Sequence, residues 1–123
     1  MNIKSWLYGK LTGNAALMAA IGTSTHLFYA YPDSFNSLPV LAYSESNQRQ
    51  VGYFDNASTA VESTITFDIY ATGSTSTIFE ALVTLMSSLY FNLDFATDLY
   101  ESDTKMHHKN CRFRRALRSE DLV

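Results

Sequence analysis

VESTITFDIYATGSTSTIFEALVTLMSSL, residues Val61 to Leu89, changes its hydrophobic period once, and the change decides the fold. Ile65, Phe67, Ile69 and Ala71 alternate with Thr64, Thr66, Asp68 and Tyr70, which puts an apolar row on one face of a strand and a polar row on the other. Gly73 and a run of Ser and Thr interrupt the pattern. Ile78, Leu82, Leu85, Met86 and Leu89 then recur at helical spacing and form one apolar stripe. Thr77 stands three residues ahead of Glu80, the spacing of a capping box, so a helix start is expected there. A strand leading straight into a helix folds back so that stripe and row bury each other. This unit is the seed of the core.

Upstream, Ile3, Trp6, Leu7 and Leu11 mark a first helix, ended by Gly13 and restarted by Asn14 as an N-cap for a shorter helical piece, Ala15 to Ile21. His26 to Tyr31 reads as a short strand stopped at Pro32, with Asp33, Ser34 and Asn36 supplying the turn. Pro39 opens a strand through about Ser46. Its apolar residues fall on both faces, Leu41 and Tyr43 against Val40 and Ala42, as a central strand requires. Residues 47–60 are polar apart from Val51, Tyr53 and Phe54, and are expected to leave the core as an extended arm that docks on a neighbouring subunit.

Downstream, Tyr90, Phe91, Leu93 and Phe95 read as a wedge leading into an acidic loop with Asp94, Asp98, Glu101 and Asp103. A last strand runs from about Lys105 to Arg115, with Cys111 and Phe113 on a core-facing side and Arg112 and Arg114 on a basic one. The expected fold is α+β: a mixed, mainly antiparallel sheet of about four strands, Val61–Ala71 central, helices on one face and a long polar β-hairpin arm. All 123 residues are expected to form a single domain.

Composition narrows function. Charged residues make up 17%, below the usual share of about 25%, and eight Tyr, eight Phe and one Trp supply an aromatic excess. Such side chains bury area while Tyr keeps a polar tip, the composition of a surface meant to be covered. One cysteine excludes an internal disulfide and a four-cysteine zinc site, and Cys111 alternates as a small buried residue would. His107 and His108 are adjacent on a strand and point to opposite faces, so they cannot easily share an ion. Asp98, Glu101 and Asp103 lack the ligand spacing and central Gly of a calcium loop. No phosphate-cradling loop, nucleophile elbow or HExxH occurs, so neither an enzyme nor a cofactor is expected. With no apolar stretch approaching a membrane span and no signal-peptide pattern, synthesis in a cytoplasm is expected.

Lys105, Lys109, Arg112, Arg114, Arg115 and Arg118 are six of the nine basic residues, and they alternate with Phe113 in a manner that suits nucleic-acid phosphates and a base. Yet the net charge is −3, where a dedicated binder is usually basic. Pairing of this basic strand with an acidic face of another subunit fits better.

Taken in order, three segments carry a likeness: Pro32 to Glu45 with its NSLPVL and Tyr43, ITFDIYA at Ile65 to Ala71, and Asp98 to Phe113 with DLYE, Asp103–Thr104, His108–Lys109 and Arg112–Phe113. Together they resemble the tail-to-head joining proteins of long, non-contractile-tailed phages, also called tail terminators or tail completion proteins, nearest to the type in phages of Gram-positive hosts. The resemblance spans nearly the whole chain and includes no catalytic signature. It implies a virion protein at the head-proximal end of the tail, made in the host cytoplasm. Its subunits would form a ring, usually a hexamer, on the last ring of tail-tube protein and meet the capsid connector or stopper. DNA would pass through without specific recognition, and no membrane is involved. The interface residues expected on this reading are Gln48, Arg49, Val51, Tyr53 and Phe54 of the arm, the acids Asp98, Glu101 and Asp103, and the bases Arg112 and Arg114. The alternatives are another neck component, a stopper or adaptor, and a weak nucleic-acid-binding adaptor using residues 105–118.

Overall fold

The structure, a computed structural model, describes residues 3–33, 35, 38–54, 57–118, 121 and 122, with the backbone alone for 51–54 and 57–59. Ser34 and Asn36, expected in a turn, lie outside the described residues. Helix α1 covers Ile3–Thr12 and α2 covers Ala15–Ile21, with Asn14 capping the second: its Oδ1 accepts from the Leu17 N–H at 2.9 Å. The α2 helix closes on Gly22, whose φ of 104° is one that a side chain would strain.

Five strands follow in one sheet: β1 (Leu27–Tyr29), β2 (Val40–Phe54), β3 (Ala57–Ala71), β4 (Asn92–Glu101) and β5 (Met106–Leu117), in the order β1-β2-β3-β5-β4. β1 runs parallel to β2, and every other pairing is antiparallel. The central position expected for the Val61–Ala71 strand is the one that β3 takes. Helix α3 (Ser76–Ser88) follows it and lays Ile78, Leu82, Leu85 and Met86 on the sheet.

Several boundaries depart from expectation. The fifth strand is β4, where a wedge and an acidic loop were read. Its acids are compatible with a strand because β5 lies alongside and supplies cations: Arg114 reaches Asp94 at 2.9 Å and Lys109 reaches Asp98 at 3.1 Å. Thr77 and Glu80 form no capping box, since α3 begins at Ser76. Its N-cap Thr75 makes no side-chain cap bond, and Ser74 Oγ accepts from the Ser76 N–H at 3.1 Å. β1 is shorter than read, because a 3₁₀ turn at Ser24–His26 precedes it and Ala30, at φ 69°, turns the chain away. β2 continues eight residues past Ser46 and pairs with β3 out to Phe54 and Ala57, so the polar arm is a regular two-stranded hairpin.

All three helices pack on one face. Leu7, Leu11, Leu17, Ile21 and Leu82 meet Leu41, Tyr43, Ile65, Phe67, Cys111 and Phe113 in one buried cluster, where Phe67 and Phe113 pack edge to face at 5.7 Å. On the far face a smaller cluster joins Val40, Tyr70 and Met106 to Phe28, Phe35 and Leu38. Cys111 is fully buried, and burial pushes its thiol from 9.0 up to about 12. A thiol reagent such as DTNB is therefore expected to leave the native chain unlabelled and to react with one thiol once the chain unfolds in urea. Rapid labelling of the folded chain would show that the sheet opens at β5.

Candidate assembly surfaces

The far face of the sheet carries a row of charges of alternating sign, one from each of four neighbouring strands. Arg49 of β2 meets Glu62 of β3 at 3.0 Å, Glu62 lies 4.0 Å from Arg114 of β5, and Arg114 meets Asp94 of β4 at 2.9 Å. Exposed pairs of this kind contribute a few tenths of a kcal/mol each. They cross the base of the arm, which the β2–β3 and β3–β5 ladders hold in place. Further along the same face, Asp68 Oδ1 accepts from Asn110 Nδ2 and contacts His108 Nε2, both at 2.8 Å, while the His108 ring stacks on Tyr70 with centroids 4.3 Å apart.

The residues expected at interfaces fall in three places. Gln48 and Arg49 lie on the exposed base of the arm, where Gln48 Nε2 donates to Glu45 at 3.1 Å. Val51, Tyr53 and Phe54 extend β2 toward its tip, and their side chains lie outside the described residues. Asp98 and Arg114 hold Lys109 and Asp94 of their own chain, so much of the acid–base pairing expected between subunits is made within one. Glu101 ends β4 and Asp103 lies within the β4–β5 turn, both exposed, and Arg112 lies over the Phe95 ring at 5.4 Å.

His107 and His108 leave the sheet on opposite faces, the first against Tyr100 at 4.8 Å and the second against Asp68. Among the described residues no three His, Cys, Asp or Glu side chains cluster in a way that could hold a metal ion, and no helix is long and apolar enough to cross a membrane.

The sequence reading places Leu93 and Phe95 in a wedge and Leu99 and Tyr100 in an acidic loop, and so misses that all four belong to one strand. Leu93, Phe95, Leu99 and Tyr100 are 46–55% exposed, and all but one of the strand's ten residues are exposed. The signal was present, since Asp94 and Asp98 interrupt an apolar series at strand-like intervals. At the opposite edge Lys4, Tyr8, Leu27, Tyr29 and Tyr43 line an open cleft of about 340 Å³, with the Lys4 ammonium 4.2 Å from the Tyr29 ring centre.

Burial also sets a pH limit on the fold. The Tyr43 and Tyr70 phenols rise from 10.0 to about 12, each chiefly by burial. Both groups, like Cys111, keep their protons longer in the folded chain. The unfolded chain therefore binds fewer protons in this range, and stability falls as pH rises between about 9 and 12 after staying level with respect to these groups below it. Urea midpoints followed against pH should show that decline, and Tyr43→Phe should flatten part of it. An unchanged slope in the variant would mean that Tyr43 ionises freely in the fold.

Set against known proteins, the chain matches the sequence model of the family described as Tail completion protein gp17 over residues 6–118. No curated protein matches it. Among solved structures, a chain from "Virion of native gene transfer agent (GTA) particle" superposes with a TM-score of 0.64 at 14% identity, covering 92% of each chain. That likeness is one of fold.

Proposed function

Since this chain belongs to the tail completion protein family, and is thereby a structural component of a phage-type virion tail, we propose that it closes the tail tube and joins it to the capsid. In this reading identical subunits assemble, as a ring of about six, on the last ring of tail-tube protein at the head-proximal end, end tube growth, and present a second surface to the connector or stopper. The observation that carries the reading is the family match across 6–118, which includes the arm and every strand. The described surface agrees with a docking protein: large aromatic and aliphatic side chains stand exposed at both edges of the sheet.

Within that reading the arm, from Gln48 and Arg49 through Val51, Tyr53 and Phe54, grips the tube or the neighbouring subunit. Glu101, Asp103 and Arg112 are outward charges for a neighbour, whereas Asp98 and Arg114 act mainly inside their own chain. The basic strand favours this role over nucleic-acid binding, because Lys109, Arg114 and Arg115 are met by Asp98, Asp94 and Asp121. With three of its six cations so engaged, the segment has less attraction left for phosphates. DNA then passes through the ring without being read.

The test is the length of tail tubes assembled with and without the purified protein, imaged by electron microscopy, together with its mass by light scattering. Tubes of limited length with protein bound at one end are expected. Tubes that grow equally long with and without it, bare at both ends, would overturn the capping role and turn attention to another neck position.

A further inference from the structure

We infer that the open edge of β4 pairs, antiparallel, with the uncovered edge of β2 in a second copy of this chain, so that one subunit's sheet continues into the next. The inference rests on the ring reading and deepens it by naming the seam.

β4 borders on solvent along its whole length. Only Thr97 of its ten residues is half-buried, and its apolar side chains stand out on both faces of the sheet. Leu93 and Tyr100 lie opposite Phe113 and His107 on the helix-bearing face, while Phe95 and Leu99 lie opposite Arg112 and His108 on the far face. A strand laid along this edge would cover both sets and satisfy the row of outward backbone groups. Natural edges are usually blunted by Pro, by Lys or by unpaired charge, and β4 has none of the first two. Its acids Asp94 and Asp98 are held by Arg114 and Lys109, so its one acid without an ion pair among the described residues is Glu101 at the strand's end.

The occupant follows from the other side of the sheet. β1 covers β2 only at Leu41, Ala42 and Tyr43, which leaves Ser44 onward without a strand on that side among the described residues, for a length that matches β4. Polarity also agrees. β1, β2 and β5 run one way and β3 and β4 the other, so a sheet continued in the same sense places β4 antiparallel to the next copy's β2. Subunits related by rotation about a ring axis join through two different patches of this kind. Charge separates this pairing from a symmetric one. Two β4 strands side by side would bring Asp94, Asp98 and Glu101 of both copies together. The β2 edge sets no row of acids against them: it carries Gln48 and Arg49, the latter also paired with Glu62 at 3.0 Å, and its one acid, Glu45, already accepts from Ser63 at 2.6 Å and from Gln48.

Thiol cross-linking decides the matter, because Cys111 is the sole native cysteine and is buried. Thr97→Cys and Asn47→Cys place thiols on β4 and β2, on the same face of the sheet. Each variant, their equimolar mixture and the double variant are treated with a short bis-maleimide, alone and on assembled tail tubes. Neither single variant should cross-link. The mixture should give dimers, and the double variant a ladder ending at the ring. In the double variant, adding Leu99→Lys should abolish the ladder while the chain keeps its thermal midpoint. Cross-linked dimers from Thr97→Cys alone would replace the seam with a symmetric β4–β4 contact. A ring of intact mass without adducts in the mixture would overturn the seam and leave the ring standing. A chain that stays monomeric with and without tubes would overturn both.

Discussion

Replacing Phe67 with Ala is expected to lower the unfolding free energy by about 3–5 kcal/mol, the range for a buried aromatic truncated in a close-packed core. Phe67 is fully buried on the central strand, with Tyr43 at 6.4 Å on one neighbouring strand and Phe113 at 5.7 Å on the other. The backbones of β2 and β5 on either side are held by their ladders with β3, so the sheet cannot close into the hole. Domains of this size are stable by about 5–15 kcal/mol, so the variant would be partly unfolded or close to it at 37 °C. Urea titration followed by circular dichroism would show a lower midpoint with an unchanged slope. Phe95→Ala is the control. That ring is 46% exposed, and its loss should shift stability by no more than about 0.5 kcal/mol. Equal losses at both positions would mean that the exposed edge strand carries part of the core.

The second large effect concerns the arm. β5 begins to support β3 at Val61, opposite Leu117, while β2 and β3 pair with each other on to Phe54 and Ala57. Beyond Val61 the hairpin is two-stranded. Two-stranded hairpins are marginal by themselves and contribute little to the domain that carries them. Deleting residues 51–60 and joining Gln50 to Val61 through Asn-Gly, a pair suited to a two-residue hairpin turn, removes the overhang and keeps every β3–β5 pair. The trimmed chain should unfold near the parent midpoint. Its capture by tail tubes should weaken about tenfold or more, each tenfold being 1.4 kcal/mol of binding. Undiminished capture would remove the arm from the interface, and a lowered midpoint would place it in the core.

The sequence disclosed the centre of this fold better than its margins, for a physical reason. β3 and α3 each bury one face against a single kind of surroundings, so period and burial coincide in Ile65, Phe67 and Ile69 and in Ile78, Leu82 and Met86. β4 has no buried face, and its acids look like those of a solvated loop until Arg114 and Lys109 are seen beside them. Thr77 and Glu80 have the right spacing for a cap but stand two residues beyond the positions a box needs, since Thr75 is the N-cap, and spacing alone carries no information on that offset. Cys111 and Phe113 were legible as core because they sit between polar neighbours on a strand. The exposed apolar side chains of β4 were legible only as composition. Aromatic excess predicts that something is covered, but which residues stay exposed depends on pairing partners distant in sequence.

The strand order also has a consequence in time. β2 and β3 close over two positions, and β4 and β5 over a turn of four, so each hairpin can form early at low loop-closure cost. β3 and β5 join these halves across α3, through pairs such as Ala71 with His107 that are distant along the chain. Docking the two hairpins across α3 is then the step with the highest loop-closure cost. Substitutions at that junction, Cys111 and Phe113 among them, should slow refolding as well as hasten unfolding, which the two arms of a chevron plot would separate.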